Sequence, residues 1–435
     1  MSAEAESTSK RVVESVFKLL AKGFLALYRP LVIVTAGSVG KTSSKLMLAK
    51  LLETERHVSY MDDSYNKGLG LYLSIFQQKV PDVSSPLSWI GKMLQAVGYG
   101  LTHHPKIIVL EYGIDGPGDM GEMVRFWRPD VTMLTAVTPE HMEFLKTIDI
   151  VGQEEIQSVA AVKQFGVVNT ADVAQKYTDM LKDVTWYGYG TEGAVATYTI
   201  KQWKRTGTVV DFVIDDQHYD AVELQLISEP IIRQLAGSLL VAHKLGISRD
   251  VLVRTMPQLR PAAGRMGLFR GVHDSTIIDD TANFSPVAGV AGLQTLKRMP
   301  ADRHIGVIGN MHELGEFADE GYAQVAAEFA DLDVLVLVGG MSIGRFGAHA
   351  KKDHGFVKDK NLFTFETSAE AGAYMRDHVL RSGDAVFVKG PFGGYYLEEA
   401  TKKMLADPTD IRYLARQSTF WDHKKRAHFG DLLDA

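Results

Sequence analysis

Short apolar runs alternate with longer stretches of helical periodicity along most of this chain, the pattern of a mostly parallel α/β sheet. Leu31–Thr35 reads as a strand, followed by a glycine loop and a helix over Lys41–Leu52. Lys106–Tyr112, Val131–Val137 and Gly166–Asn169 read as further buried strands. Between Ala194 and Ile227 the period shifts towards two, which predicts antiparallel ribbons at the edge of the same domain. Helices over Ile231–Leu245 and Arg249–Gln258 follow.

Leu259-Arg-Pro-Ala-Ala-Gly264 breaks both periodicities and reads as a linker. Alternation then restarts, with strands expected at Ser275–Ile278, His304–Ile308, Val334–Val338, Leu362–Phe365 and Ala385–Val388. The expected fold is α/β in three parts: an N-terminal amphipathic helix (1–30), a central nucleotide-binding domain (31–260) and a smaller Rossmann-like domain (261–435). The helix at Lys10–Tyr28 carries Glu14, Lys18 and Lys22 within its apolar pattern, so it reads as a surface helix rather than a leader. Packing on its own protein and a role at a membrane surface or partner both remain open. A polar-to-apolar insertion over 81–105, with a helix at Ser88–Tyr99, reads as a plain surface helix or a lid. His103-His104 reads as a surface pair.

Composition narrows the function classes. At 435 residues the chain exceeds one ordinary core. It has no cysteine, which excludes disulfides, thiolate metal sites and cysteine nucleophiles and suits a cytoplasmic location. A net charge of -6 gives no support to nucleic-acid binding. No apolar run reaches the roughly 18 residues of a membrane span.

The most specific chemistry lies in Thr35-Ala-Gly-Ser-Val-Gly-Lys-Thr42, between a buried strand and a helix. Gly37 and Gly40 let backbone N–H groups turn towards phosphate oxygens, the helix start adds positive potential, and Lys41 neutralises charge. Thr42 would offer its hydroxyl to Mg²⁺. Thr35 stands where the usual motif has its first glycine; a purely structural turn is the alternative. Glu111 ends an apolar strand at the ligand edge of the sheet, where a carboxylate needs a partner or a metal. His141 follows the next strand, so Thr42, Glu111 and His141 are candidates to converge on metal and phosphate.

Together these segments resemble the Mur ligase family, from about Leu31 to Leu405. Ala36-Gly-Ser-Val-Gly-Lys-Thr-Ser is similar to its phosphate loop, Val109-Leu-Glu-Tyr-Gly to its magnesium-glutamate strand, and Thr138-Pro-Glu-His-Met-Glu to its histidine segment. Gly264-Arg-Met, Ile278-Asp-Asp-Thr-Ala-Asn-Phe-Ser-Pro286 and Gly309-Asn-Met-His-Glu-Leu-Gly315 resemble later landmarks. The last two are the most specific and point to the branch that joins D-alanyl-D-alanine to a UDP-linked muramyl tripeptide, which Asp63-Ser-Tyr-Asn-Lys-Gly-Leu-Gly-Leu and Val388-Lys-Gly-Pro-Phe-Gly-Gly also resemble.

The resemblance implies an ADP-forming ligase that uses ATP and Mg²⁺, activates a carboxylate as an acyl phosphate and joins it to an amine. Lys41, Glu111 and His141 would be catalytic; Gly37, Ser38, Gly40, Lys41, Thr42, Ser43, Arg265, Asp280 and Asn283 would bind the nucleotide. Thr42, Glu111 and His141 would serve the metal, and Asn310, His312, Glu313 and Lys389 the substrates. The sequence departs from the family in four places. Only about thirty residues precede the phosphate-loop strand, where the branch has a UDP-binding domain. Gln153, beside Glu154 and Glu155, stands where many members carry a carbamylated lysine. Ile231-Ile232 replaces a His-Asn pair, and Ala282 a tyrosine. Another carboxylate substrate (a polyglutamate, a folate-like compound or a lipid-linked wall intermediate) and a non-catalytic nucleotide-binding protein are the alternatives.

Overall fold

The computed structural model describes residues 3–81, 85–140, 142–312 and 314–433. They form two compact units, divided between Leu259 and Arg260, with Ile200–Val209 and Glu223–Glu229 grouped with the second. In chain order the first half comprises α1 (Ala3–Tyr28), β1 (Leu31–Ala36), α2 (Lys41–Glu53), β2 (Val58–Ser59), α3 (Gly68–Ile75), α4 (Pro86–Thr102), β3 (Ile107–Glu111), α5 (Asp119–Phe126) and β4 (Val131–Leu134). Then come α6 (Met142–Leu145), α7 (Ile148–Ala160), β5 (Phe165–Asn169), α8 (Gln175–Thr178), β6 (Trp186–Tyr189), β7 (Ala196–Lys204), β8 (Gly207–Ile214), β9 (Gln217–Leu224), α9 (Glu229–Lys244) and α10 (Arg249–Thr255).

The nine strands run in the order β2-β3-β1-β4-β5-β6-β7-β8-β9. From β2 to β7 every neighbouring pair is parallel. β3 and β4 are buried along their whole length, as expected when helices cover both faces. Asp215 and Asp216, both with positive φ, make the two-residue turn of the β8–β9 hairpin. After β1 the chain fills one side of the sheet with β2 and β3, then the other from β4 onwards. The carboxyl end of β1 is thus a topological switch point, the usual ligand crevice of such sheets.

α1 buries Phe17, Ala21, Phe24 and Leu25 in the same cluster as Leu71, Phe76 and Ala96. Fully burying each large side chain is worth about 1.5–3 kcal/mol, so α1 belongs to the core. α4, the helix of the 81–105 insertion, starts at a Ser85/Ser88 capping box and runs beside α1, with Phe17 against Trp89 and Phe24 against Tyr99. His103 and His104 are exposed, His103 stacked on Tyr99 and His104 tilted against Tyr28.

The second unit continues with β10 (Gly267–Arg270), β11 (Thr276–Asp280), α11 (Pro286–Arg298), β12 (Arg303–Ile308), α12 (Ala318–Ala326), β13 (Val334–Val338), α13 (Gly340–His354), β14 (Leu362–Phe365), α14 (Ser368–Tyr374), β15 (Asp384–Lys389), α15 (Glu398–Met404) and α16 (Thr419–Phe429). Its sheet has the order β10-β11-β15-β12-β13-β14. Only β10 is antiparallel to its neighbour. β10 is a strand the periodicity did not reveal, because four residues opening on glycine carry too little alternation. Strand β4 also ends three residues earlier than its apolar run, since Thr135 and Ala136 turn to bond the loop after β1.

Candidate functional site

β1 leads directly into a loop that only glycine can build at two points. Gly37 (φ 120°) would place a Cβ 2.4 Å from Thr135 Oγ1, and Gly40 (φ 87°) would place one 1.8 Å from Gln234 Nε2. Both backbones also lie where L side chains are strained. Gly40 is the N-cap of α2 and has no side chain to offer, so the first amides of the helix are left to another acceptor. Thr135 Oγ1 lies 2.9 Å from Ala36 O and 2.6 Å from Val39 O. Ser38 donates to Thr138 O (3.0 Å) and accepts from Thr138 N (2.9 Å), so its side chain ties the loop to the segment after β4. Lys41 Nζ rests on the carbonyls of Gly37 and Ser38, 4.0 Å from Glu140.

β1 and β3 are in register at Thr35 and Glu111, which sets the buried Glu111 carboxylate beside the start of α2. It accepts from Thr42 Oγ1 (2.9 Å), Ser64 Oγ (3.2 Å) and Lys45 Nζ (2.7 Å). Lys45 also donates to Asp63 O (2.8 Å). Two fully buried opposite charges are tolerable only when paired and hydrogen-bonded like this. Thr42 and Lys45 are one helical turn apart and share a face. That spacing, a lysine on the buried side of a helix facing a strand-end acid, was the available sign of Lys45.

Two more carboxyls approach the loop. Glu155, fully buried on α7, accepts from Gly37 N at 2.7 Å. Burial pushes it up to about 8, opposed by Lys41 and reinforced by Glu140. Glu140 is pushed up to about 7 by burial, against the pull of Lys41. Each has one buried oxygen with no hydrogen-bond partner among the described residues. The three neighbouring polar residues left open by sequence therefore separate. Gln153 is exposed, Glu154 caps α5 through Gly118 N (2.9 Å) and Met120 N (3.1 Å), and Glu155 reaches the phosphate loop.

This donor set of carboxylates and hydroxyls suits a hard cation such as Mg²⁺. Thr42 and Glu111 are brought together as expected, while His141 lies outside the described residues. Among the described residues no ready-made cluster of three acidic or histidine ligands exists. The Lys45 ammonium sits on Glu111 where such a cation would compete for the same oxygens. On α9, Ile231 and Ile232 are core residues, and Gln234 reaches the loop instead.

In the second unit Asp280 accepts from Met266 N (3.2 Å) and pairs with Lys389, both buried. Burial lowers the Lys389 ammonium and Asp280 opposes it. Asp279 accepts from Thr401 (2.8 Å) and Thr281 (3.1 Å), and burial pushes it up to about 7. Arg265 and Asn283 are exposed, Asn283 Oδ1 accepting from Phe284 N. Arg416 holds the following turn through Thr281 O (2.6 Å) and pairs with the buried Glu398. Asn310 is buried at the end of β12, accepts from Ser342 N (2.6 Å) and leaves its Nδ2 without a partner among the described residues. His312 is exposed, its ring 6.2 Å from Tyr395, and Glu313 lies outside the described residues.

A strand, glycine loop and helix at a switch point, with a carboxylate on the adjacent strand held to the threonine after the lysine, define an α/β protein of the P-loop nucleotide-binding class. The chain belongs to the Mur ligase family: residues 34–242 match the Mur ligase middle domain and 264–392 the Mur ligase glutamate ligase domain. It is 25% identical over 317 residues to the UDP-N-acetylmuramoyl-tripeptide--D-alanyl-D-alanine ligase of Rickettsia prowazekii, covering 70% of this chain and 64% of that protein. Against the Bacillus subtilis protein of the same name it is 21% identical over 393 residues, 89% of this chain and 79% of the other. The chain thus spans just under two thirds of the first of these relatives. A crystal structure of MurF ligase from Thermotoga maritima in complex with ADP superposes with a TM-score of 0.69 at 22% identity, covering 90% of this chain and 83% of that one.

Proposed function

We propose that the protein is an ATP-dependent, ADP-forming ligase that joins D-alanyl-D-alanine to a UDP-linked muramyl tripeptide, in the cytoplasm. The relatives' names support the substrates, and the cysteine-free composition fits the compartment. The observation that carries the ligase reading is Glu111, held between Thr42 and Lys45 at the foot of the phosphate loop.

The amides at the start of α2 and the Lys41 ammonium receive the β- and γ-phosphates. Thr42 and Glu111 would hold Mg²⁺, which when bound would supply neutralisation of the phosphate charge. His141 would serve the metal, and Glu140 and Glu155 line the loop beside Lys41 and Gly37. The substrate carboxylate attacks the γ-phosphorus, the bond to ADP breaks, and an acyl phosphate forms. The amine then attacks the carbonyl carbon, loses a proton, and inorganic phosphate leaves. No protein nucleophile is needed. In the second unit Arg265 and Asn283 are the proposed nucleotide contacts, and Asn310, His312 and Glu313 the proposed amine contacts. Lys389 acts there by orienting Asp280.

The test is product mass. Incubation with ATP, Mg²⁺, UDP-muramyl tripeptide and D-alanyl-D-alanine should yield the tripeptide heavier by the dipeptide less water. ATP binding without that product would transfer the reading to another carboxylate.

A further inference from the structure

The ligase reading leaves one built surface unused. α4 turns Leu87, Ile90, Leu94, Val97 and Leu101 outward at alternating spacings of three and four, a single continuous stripe. Leu87 is 80% exposed and Leu101 70%. α1 lies alongside, and while its inner face enters the core, Leu19 and Leu27 stand 71% and 72% exposed on the other side. Two adjacent helices that both hold leucines in water are unusual for a surface that meets only solvent.

Charge selects the occupant. The chain has a net charge of -6, yet no acid occurs from Pro86 to Lys106, where Lys92 and Lys106 stand. On α1 and the residue after it, Lys18 faces Glu122 at 3.5 Å, while Arg11, Lys22 and Arg29 have no ion pair among the described residues. A second copy of the chain would bring the same excess of cations, with no acid on α4 and only Glu4, Glu6 and Glu14 on α1 to receive them. An anionic lipid surface supplies both what the leucines and what the cations lack. We propose that the outer faces of α1 and α4 together dock this protein on an anionic membrane surface, lying on it without crossing it. No helix among the described residues is long and apolar enough to cross a membrane. The proposal is independent of the ligase reading.

The experiment is flotation of the full chain with vesicles of phosphatidylcholine alone or of equal parts phosphatidylcholine and phosphatidylglycerol. The expected result is co-flotation with the anionic vesicles only, lost at high salt because the attraction is screened. The triple variant Leu87→Gln, Leu94→Gln, Leu101→Gln should bind about tenfold more weakly, whereas Val287→Gln, an equally exposed apolar residue on α11, should not change binding. Should the triple variant fail to fold, Lys22→Glu with Arg29→Glu, both exposed, serves the same purpose. Wild-type protein that ignores anionic vesicles, or variants that float like wild type, would overturn the proposal. So would a dimer in solution that the triple variant splits, since the face would then close on a second copy.

Discussion

Lys45 Nζ lies 2.7 Å from Glu111 Oε2, and neither side chain reaches solvent. Removing one partner strands the other charge in the interior, which costs about 3–5 kcal/mol. Lys45→Met and Glu111→Gln should each lower urea-denaturation stability by that amount. The double variant should recover a large part of the loss. Strictly additive losses would mean that the two groups do not depend on each other.

Thr42 separates the metal from the fold. Its hydroxyl donates to Glu111 at 2.9 Å, and valine keeps the shape without the hydroxyl. Thr42→Val should weaken ATP binding in the presence of Mg²⁺ by about 10–100-fold and leave binding in EDTA little changed. Calorimetric titration under both conditions reads this directly; equal losses would remove Thr42 from the metal.

Gly40 faces two obstacles to substitution. An alanine there keeps a left-handed backbone, costing roughly 1–2 kcal/mol, and meets the Gln234 amide. Gly40→Ala should therefore destabilise the protein, and adding Gln234→Ala should return only the contact part. Full rescue would show that the backbone conformation carries no penalty.

Much of the site was readable in the chain, and its gaps have physical causes. Lys41, Thr42 and Glu111 were legible because a strand–loop–helix order and a charge ending an apolar run are local features. Glu155 was not, because its role depends on α7 approaching Gly37 across the fold, and three neighbouring polar residues look alike without that contact. Gln234 was hidden behind Ile231 and Ile232 for the same reason. Lys389 illustrates a further limit. Resemblance alone implied a substrate contact there, and whether the lysine meets Asp280 depends on the pairing of β11 with β15. Most strands of both sheets were visible from apolar runs; the two-residue β2, the four-residue β6 and the antiparallel, four-residue β10 were not.

Glu155 predicts a pH dependence. Its folded value of about 8 stands above the ordinary 4.5, so the folded state keeps a proton that the unfolded state has lost across that interval. Stability from this group is present below about 4.5 and falls as pH rises towards 8, in total on the order of a few kcal/mol. In Mg²⁺-free buffer, Glu155→Gln should therefore melt higher than wild type at pH 8 and approach it at pH 5. Parallel melting curves across the whole range would contradict a protonated Glu155.

The most direct test of the ligase account is phosphate release from ATP and Mg²⁺, with UDP-muramyl tripeptide and D-alanyl-D-alanine added singly and together. Release should require both, with one phosphate for each product heavier by the dipeptide less water, and should be lost in Lys41→Ala. Tight ATP binding with no release by the pair would contradict the substrate assignment, and release unaffected by Lys41→Ala would contradict the site itself.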